Sequence, residues 1–322
     1  MKPPYTITDK ILSLVASISE KIGEINAHHL YKPTTELRKK NRIKTIQSSL
    51  EIEGNTLTEE QITALLDNKR IIAPQKDIQE VQNAIEVYAR LQQFKPTSIK
   101  DLEKAHAVLM KDLIDKAGKL RTSNVGIVKG SKVEHIAPSG TMVKGLMNDL
   151  FKYLKNDPEL ILIKSCVFHY EFEFIHPFLD GNGRMGRLWQ TVILMQQYPV
   201  FEYLPVESLI KKNQKEYYNK LSESDKKGNS TPFVEFMLGI ILEALQQVLQ
   251  SQNTNLNTKD RILIFKEKVK GEKFSRKDYL QYFKNISAPT ASRDLKWAVE
   301  QKILEKYGEQ RLTEYQFIVF TD

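Results

Sequence analysis

Apolar residues recur at three- and four-residue spacing along nearly the whole chain, and that period confines the fold to packed helices. Residues 8–28 place Ile11, Leu12, Val15, Ile18 and Ile22 on one such stripe. A second helix is expected over 36–52, stopped by Gly54-Asn55. Thr58-Glu-Glu opens a short helix carrying Ile62, Leu65 and Leu66. The same period predicts helices over 77–94, 99–115, 140–155, 159–175, 183–197, 206–222 and 231–250. One stretch breaks it. Val125-Gly-Ile-Val128 and Val133-Glu-His-Ile136 flank Lys129-Gly-Ser-Lys132, two β-prone runs around a glycine turn. A hairpin within 120–139 is therefore expected, resting on the helical body because a lone hairpin is marginal in water.

Composition narrows the class. The chain is 41% hydrophobic and 27% charged, which excludes a disordered chain. A net charge of +8 favours acidic partners: nucleotides, nucleic acid or acidic protein surfaces. The lone cysteine, Cys166, excludes an internal disulfide or a cysteine-rich zinc site and reads as a small core residue. Met1-Lys-Pro-Pro-Tyr-Thr6 does not read as a signal peptide, and no stretch approaches the roughly 20 apolar residues that span a bilayer. A cytoplasmic location without a membrane partner is the expectation.

The loop from His176 to Arg187 concentrates the chemistry. It reads His-Pro-Phe-Leu-Asp-Gly-Asn-Gly-Arg-Met-Gly-Arg. Pro177 ends the preceding helix, and Gly181 and Gly183 open backbone angles closed to other residues. A new helix starts near Asn182–Arg184. Its free N–H groups form an anion site, and Arg184 and Arg187 can face the same anion. An arginine there opposes the helix dipole unless an anion is bound. Asp180 beside such a site suits Mg²⁺ shared with phosphate oxygens. His176 suits a general base, since an imidazole titrates near neutrality, at about 6.5. Phe178 anchors the loop in the core. His169, Glu173 and His176 also fall at i, i+4 and i+7, as zinc ligands can, but a half-buried amphipathic helix is the simpler account of this stretch.

This loop resembles the motif of the Fic family, His-x-Phe-x-(Asp/Glu)-Gly-Asn-Gly-Arg-x-x-Arg. His176, Phe178, Asp180, Gly181, Asn182, Gly183, Arg184 and Arg187 match every fixed position. The resemblance covers roughly 30–250 and implies an all-α, Fic-type helical bundle with a small β-hairpin flap. It also implies transfer of AMP from ATP to a hydroxyl of a target protein. His176 would then deprotonate the hydroxyl, and Asp180 would hold Mg²⁺ on the phosphates. Gly181, Asn182, Gly183 and Arg184 would line the phosphate site, and Arg187 would hold the γ-phosphate. The target would dock on the flap by strand pairing. Modification of the chain itself and a homodimer are further partner readings.

Ser49-Leu-Glu-Ile-Glu53-Gly54 resembles the family's inhibitory motif, (Ser/Thr)-x-x-x-Glu-(Gly/Asn). The resemblance implies that Glu53 pairs with Arg187 and blocks seating of the γ-phosphate. The expected organisation is N-terminal helices over 1–100, including an inhibitory helix at about 36–54, and a catalytic core over 101–250. A polar linker over 251–258 follows, then a smaller unit over 259–322. That last unit resembles a winged helix-turn-helix. Phe274-Ser-Arg-Lys-Asp-Tyr-Leu reads as a helix, the turn Asn285-Ile-Ser-Ala288 follows, and Pro289 opens the next helix. Thr290, Ser292, Arg293 and Lys296 are expected on its outer face, with Leu295, Val299 and Ile303 inward. Ile303-Leu304 and residues 315–320 would form the wing. DNA binding competes there with a protein-interaction role, and Asp278, Asp294 and Glu300 dilute the basic charge. The alternatives to AMP transfer are a DNA-binding regulator whose body only senses nucleotide, and removal of AMP with Glu53 activating water.

Overall fold

A computed structural model describes residues 2–27, 35–129, 132–252, 258–269, 271–283, 286–309 and 313–318. The chain divides into two compact units, Met1–Val248 and Leu249–Asp322.

The first unit is helical. In chain order it holds α1 (Asp9–Ala27), α2 (Thr35–Ile52), α3 (Glu59–Leu66), α4 (Gln75–Tyr88) and α5 (Ile99–Leu109). The hairpin β1 (Gly126–Lys129) and β2 (Lys132–Ile136) comes next. Then follow α6 (Gly140–Asn156), α7 (Ile161–Ile175), α8 (Asn182–Met195), α9 (Val206–Lys212), α10 (Gln214–Lys227) and α11 (Thr231–Gln252). The hairpin strands pair antiparallel, Gly126 opposite Ile136 and Lys129 opposite Lys132. The turn residues Gly130 and Ser131 lie outside the described residues.

Local chemistry sets several boundaries. Thr58 caps α3 in a capping box with Gln61. Ser98 caps α5 by accepting from the Asp101 N–H. The helix expected over 99–115 stops at Leu109, and Asp112 then takes φ +59°. The expected helix over 206–222 is two helices. Asn213 breaks it by turning its side-chain amide onto the Leu209 carbonyl, 2.9 Å away.

The core sits around α7 and α8. Both are buried on nearly every face, from Leu162 to Ile175 and from Asn182 to Leu194. The amphipathic helix expected around residues 170–174 is thus a central helix with Glu171 and Glu173 at its margin. Burying each large apolar side chain there contributes about 1.5–3 kcal/mol. Helix α1 buries Ile11, Val15, Ile18, Ile22 and Ile25. Leu12, expected on that stripe, is 57% exposed, because it sits one position off the 3.6-residue row. Cys166 is fully buried, and burial pushes its thiol up to about 12.

Helix α11 corrects one expectation. Thr231–Leu249 is long and apolar enough to cross a membrane by length and composition, with mean hydropathy 1.4. Half of that segment is buried inside the protein. Phe233, Met237, Leu238, Ile241 and Leu245 form its core stripe.

In the second unit, α12 (Thr258–Val269), α13 (Arg276–Tyr282) and α14 (Ala288–Glu300) accompany β3 (Phe274–Ser275), β4 (Leu304–Tyr307) and β5 (Glu314–Phe317). The strands form an antiparallel sheet in the order β3-β5-β4. Residues 251 and 252 are helical and Thr258 opens α12, while the rest of the expected linker, 253–257, lies outside the described residues. Asn285 and residues 319 and 320 do as well. Phe274-Ser275 is a strand rather than the start of a helix. Ser275 caps α13 in a capping box with Asp278, so the helix begins one residue later. Phe265, Phe274, Tyr279, Leu295 and Phe317 build the core, with Val299 and Ile303 packed against it.

Asp294 was expected among the surface charges and is instead fully buried. It accepts from Arg261 Nε at 2.6 Å, Arg261 Nη2 at 2.8 Å and Thr258 at 2.8 Å. Burial pushes its carboxyl up, but Arg261 and Thr258 pull harder and hold it below its ordinary value. Because the folded value is depressed, this contribution is present above the unfolded value of 3.8 and is lost as the pH falls through the folded one. Asp294→Ala removes the buried carboxylate to which Arg261, Thr258 and Tyr279 donate, and about 3 kcal/mol of the second unit's stability is expected to go with it. Calorimetry should show a transition moved to lower temperature. An unmoved profile would contradict the assignment.

Candidate active site

The residues from His176 to Arg187 lie between the two central helices. His176 caps α7 in the left-handed region, φ +50°, ψ +60°, with its N–H bonded to the Phe172 carbonyl at 2.9 Å. This turn, taken before Pro177, reverses the chain and brings the imidazole to the half-buried rim. Asn182 then closes the loop on itself. Its Oδ1 accepts from the Phe178 N–H at 2.9 Å, and its Nδ2 donates to the Phe178 carbonyl at 2.9 Å. The Asn182 side chain is therefore spent on loop shape, leaving its backbone N–H for any anion. Gly181 starts α8 at φ +79°, where an added Cβ would meet Met110 Sδ at 2.6 Å.

No side chain caps the N-terminus of α8. Its first N–H groups thus carry the positive end of the helix dipole without a local acceptor. The carboxylate of Glu53 stands at that end: a Cβ on Gly183 would lie 2.6 Å from Glu53 Oε1 and 3.2 Å from Arg187 Nη1.

Both loop arginines are buried and carry carboxylate partners from the N-terminal helices. Arg187 Nη2 donates to Glu53 Oε1 at 2.7 Å and to the Ser49 carbonyl at 3.0 Å, and Nε donates to Ser49 Oγ at 3.2 Å. Burial works against its charge, but Glu53, then Tyr217 and Glu173, keep it firmly protonated. Arg184 Nη1 donates to Glu80 Oε1 at 3.1 Å, and Nη2 lies 3.4 Å from Asp180 Oδ1. Glu80 also accepts from Asn55 at 2.9 Å, just past Glu53-Gly54. Asp180 itself is at the mouth, its side chain 55% exposed, with Oδ1 accepting from the Gly181 N–H at 2.6 Å.

Three supporting residues went unread in the sequence. Glu80 falls on the buried row of α4 with Val81, Ala84 and Val87, where an acidic residue on an apolar face was the available signal. His106 stacks on Phe178 at 3.7 Å between ring centroids and 8° between planes. Its Nδ1 accepts from the Gly118 N–H at 2.7 Å, so Nε2 carries the proton donated to the Asp180 carbonyl at 2.9 Å. Burial pushes this imidazole down to about 4 and keeps it neutral in that tautomer. Arg121 donates to the carbonyls of His176 (2.6 Å), Ile175 (3.0 Å), Ser123 (2.7 Å) and Pro138 (2.8 Å). It ties the two feet of the hairpin to the head of the loop. Nothing in the sequence around Leu120-Arg121-Thr122 marks that role.

The zinc arrangement does not form. His169 is buried, with Nδ1 2.8 Å from Gln190 Oε1 and Nε2 3.0 Å from Tyr217 Oη. Among the described residues, no group of three His, Cys, Asp or Glu gathers to hold a metal.

A model of the Fic/DOC family matches residues 96–194. A crystal structure of a Fic family protein from Desulfovibrio desulfuricans G20 is 40% identical, aligns over 100% of both chains and superposes with a TM-score of 0.76. The protein adenylyltransferase Fic of Nematostella vectensis is 27% identical over 71% of this chain and 55% of its own length. The protein adenylyltransferase fic-1 of Caenorhabditis elegans is 27% identical over 71% of this chain and 46% of its own. The chain spans about half the length of these curated relatives.

Proposed function

The chain belongs to the Fic family, and we propose on that premise that it transfers AMP from ATP to a hydroxyl side chain of a target protein, with Glu53 as a built-in restraint. One observation carries the reading. An uncapped helix N-terminus and two buried arginines converge on one loop, and carboxylates of the chain itself occupy both arginines. A polyphosphate is the ligand such a constellation suits once Glu53 withdraws.

The residues divide the reaction as follows. His176 accepts the proton of the target hydroxyl at the rim of the loop. The hydroxyl oxygen bonds to the α-phosphorus while the bond to the pyrophosphate oxygen breaks, and pyrophosphate leaves. The N–H groups of Asn182, Gly183 and Arg184 line the phosphates, with Gly181 and Gly183 keeping the backbone bare of side chains there. Arg187 takes the γ-phosphate in place of Glu53. Work at phosphorus is mostly positioning and charge stabilisation, which suits a site made of fixed donors. Arg121 supports the reading because it couples the hairpin, where a target would pair by backbone, to the His176 carbonyl.

Asp180 fits a Mg²⁺ site of the kind held by one carboxylate, substrate oxygens and water. It is a hard oxygen donor, more than half exposed, at the mouth of the loop. When bound there, Mg²⁺ would neutralise charge on the phosphate oxygens. His106 would then set the direction of the Asp180 carboxylate through its backbone carbonyl.

Incubation with ATP and Mg²⁺ followed by intact mass spectrometry tests this. The expected result is an added AMP on a target or on the chain itself, lost in His176→Ala. An added phosphate, or AMP that accumulates equally in His176→Ala, would end the proposal.

We also read Leu249–Asp322 as a winged helix-turn-helix, supported by its three-stranded sheet beside α13 and α14. The outer face of α14 carries exposed Arg293 and Lys296, with exposed Glu300 3.9 Å from Lys296, while Asp294 turns inward onto Arg261.

A further inference from the structure

The two acid–arginine pairs of the loop are built differently. Glu53 stands in the turn after α2, with its side chain 31% exposed and Oε1 on Arg187. Glu80 stands within α4, on the buried row of Val81, Ala84 and Val87, with its side chain 8% exposed. Its Oε1 accepts from Arg184 Nη1 at 3.1 Å, and Oε2 accepts from Asn55 Nδ2 at 2.9 Å. Asn55 is itself buried and fixed. Its Nδ2 also donates to the Asp77 carbonyl at 3.1 Å, and its Oδ1 accepts from the Leu57 N–H at 3.1 Å. Both amide hydrogens and the amide oxygen are used, so neither the amide nor the carboxylate turns without breaking a bond. Glu53 has a path to solvent. Glu80 leaves Arg184 only if α4 is unseated.

We propose that Glu80 is a positioning residue: it holds Arg184 in place for the phosphates and stays on it when nucleotide binds. The inference rests on the reading of Arg184 as part of the phosphate site. Arginine is long and rich in rotamers, and a guanidinium fixed beforehand loses less freedom when an anion arrives. The two acids therefore play opposite parts, Glu53 competing with a phosphate and Glu80 preparing for one.

The other contacts of Arg184 support this. Glu80 takes only Nη1. Nε is buried without a hydrogen-bond partner among the described residues, and Nη2 makes a long contact of 3.4 Å to the exposed carboxylate of Asp180. Nε and Nη2 share one edge of the guanidinium, the kind that grips two oxygens side by side. That edge keeps donors for a phosphate while Glu80 neutralises the buried cation from Nη1. Lys76 Nζ is 4.0 Å from Glu80 Oε1 but 74% exposed, so it competes weakly for the carboxylate.

The test is binding of ATP with Mg²⁺, by calorimetry, in a Glu53→Gly, His176→Ala background, where the restraint is gone and no turnover occurs. Glu80→Gln keeps the shape, but one amide cannot accept from both Arg184 and Asn55. About a tenfold loss of ATP affinity is expected, the worth of one hydrogen bond to a charged group. Arg184→Gln removes the guanidinium and leaves an amide to donate to Glu80. With that change present, Glu80→Gln should cost nothing further. Asn55→Ala keeps the Glu80–Arg184 pair and removes only its backing, so about a threefold loss is expected, again only with Arg184 in place. It carries the test if Glu80→Gln does not fold. A gain of affinity in Glu80→Gln makes Glu80 a second restraint and overturns the proposal. Losses of equal size with and without Arg184, or no loss in either variant, overturn it while the reading of Arg184 stands. Unchanged ATP affinity in Arg184→Gln alone overturns that reading and the inference with it.

Discussion

Replacing His176 by alanine is expected to abolish AMP transfer, lowering the rate by at least about 10²–10⁴-fold, the usual weight of a positioned general base. The loop should survive the change. His176 is tied into the fold by its main chain: the N–H bonds Phe172 and the carbonyl accepts from Arg121. Alanine retains both contacts. The left-handed backbone at φ +50° adds strain of at most about 1–2 kcal/mol for a residue with a Cβ, and histidine already bears it. A melting temperature near the parent's alongside lost labelling identifies a chemical role. Labelling at the parent's rate would remove His176 from the reaction.

Glu53→Gly is expected to act in the opposite direction, raising AMP transfer about 10- to 100-fold. Glu53 Oε1 is 2.7 Å from Arg187 Nη2 and about as close to the space over Gly183. A γ-phosphate and this carboxylate cannot share one guanidinium edge without like charges in contact. Breaking a fully buried pair costs about 3–5 kcal/mol, and Glu53 is about one-third exposed, so a smaller value of about 1.5–3 kcal/mol is the appropriate scale. Each 1.4 kcal/mol is tenfold. Backbone bonds hold the turn, with the Glu53 N–H on the Leu50 carbonyl at 3.0 Å, so glycine keeps its shape. Radiolabelled ATP gives the readout, and labelling no faster than the parent's would remove the restraint from the account. The same variant should gain more thermal stability from ATP than the parent does, because Arg187 then meets the phosphate without competition.

These two residues were legible for different reasons. His176, Asp180, Gly181, Gly183, Arg184 and Arg187 stand within one short segment, so spacing alone assigns each a face or a turn. The end of α7, the start of α8 and the hairpin were local too, because proline, glycine and β-branched residues act on their own backbone. Glu53 became readable only by resemblance to a family motif. A glutamate before a glycine at a helix end has no distinctive local physics. Errors fell where neighbours in space overrode neighbours in sequence. Leu12 has the right type for the core and the wrong angle. Phe274-Ser275 has helical company but a partner strand at Tyr315. Asp294 reads as a surface charge until Arg261 is brought beside it.

The sequence by itself determined the helical class, the hairpin and the order of chemical groups along the loop, since backbone preference and apolar period are properties of adjacent residues. Tertiary structure decided which acid answers which arginine, a pairing that local physics does not carry and that resemblance implied only for Glu53. Glu80 meets Arg184, and Glu53 meets Arg187 with Ser49 beside it. Those partners stand on different helices, far apart along the chain. The angles and depths at which α2, α4 and α8 pack depend on the whole core, and no local pattern encodes them.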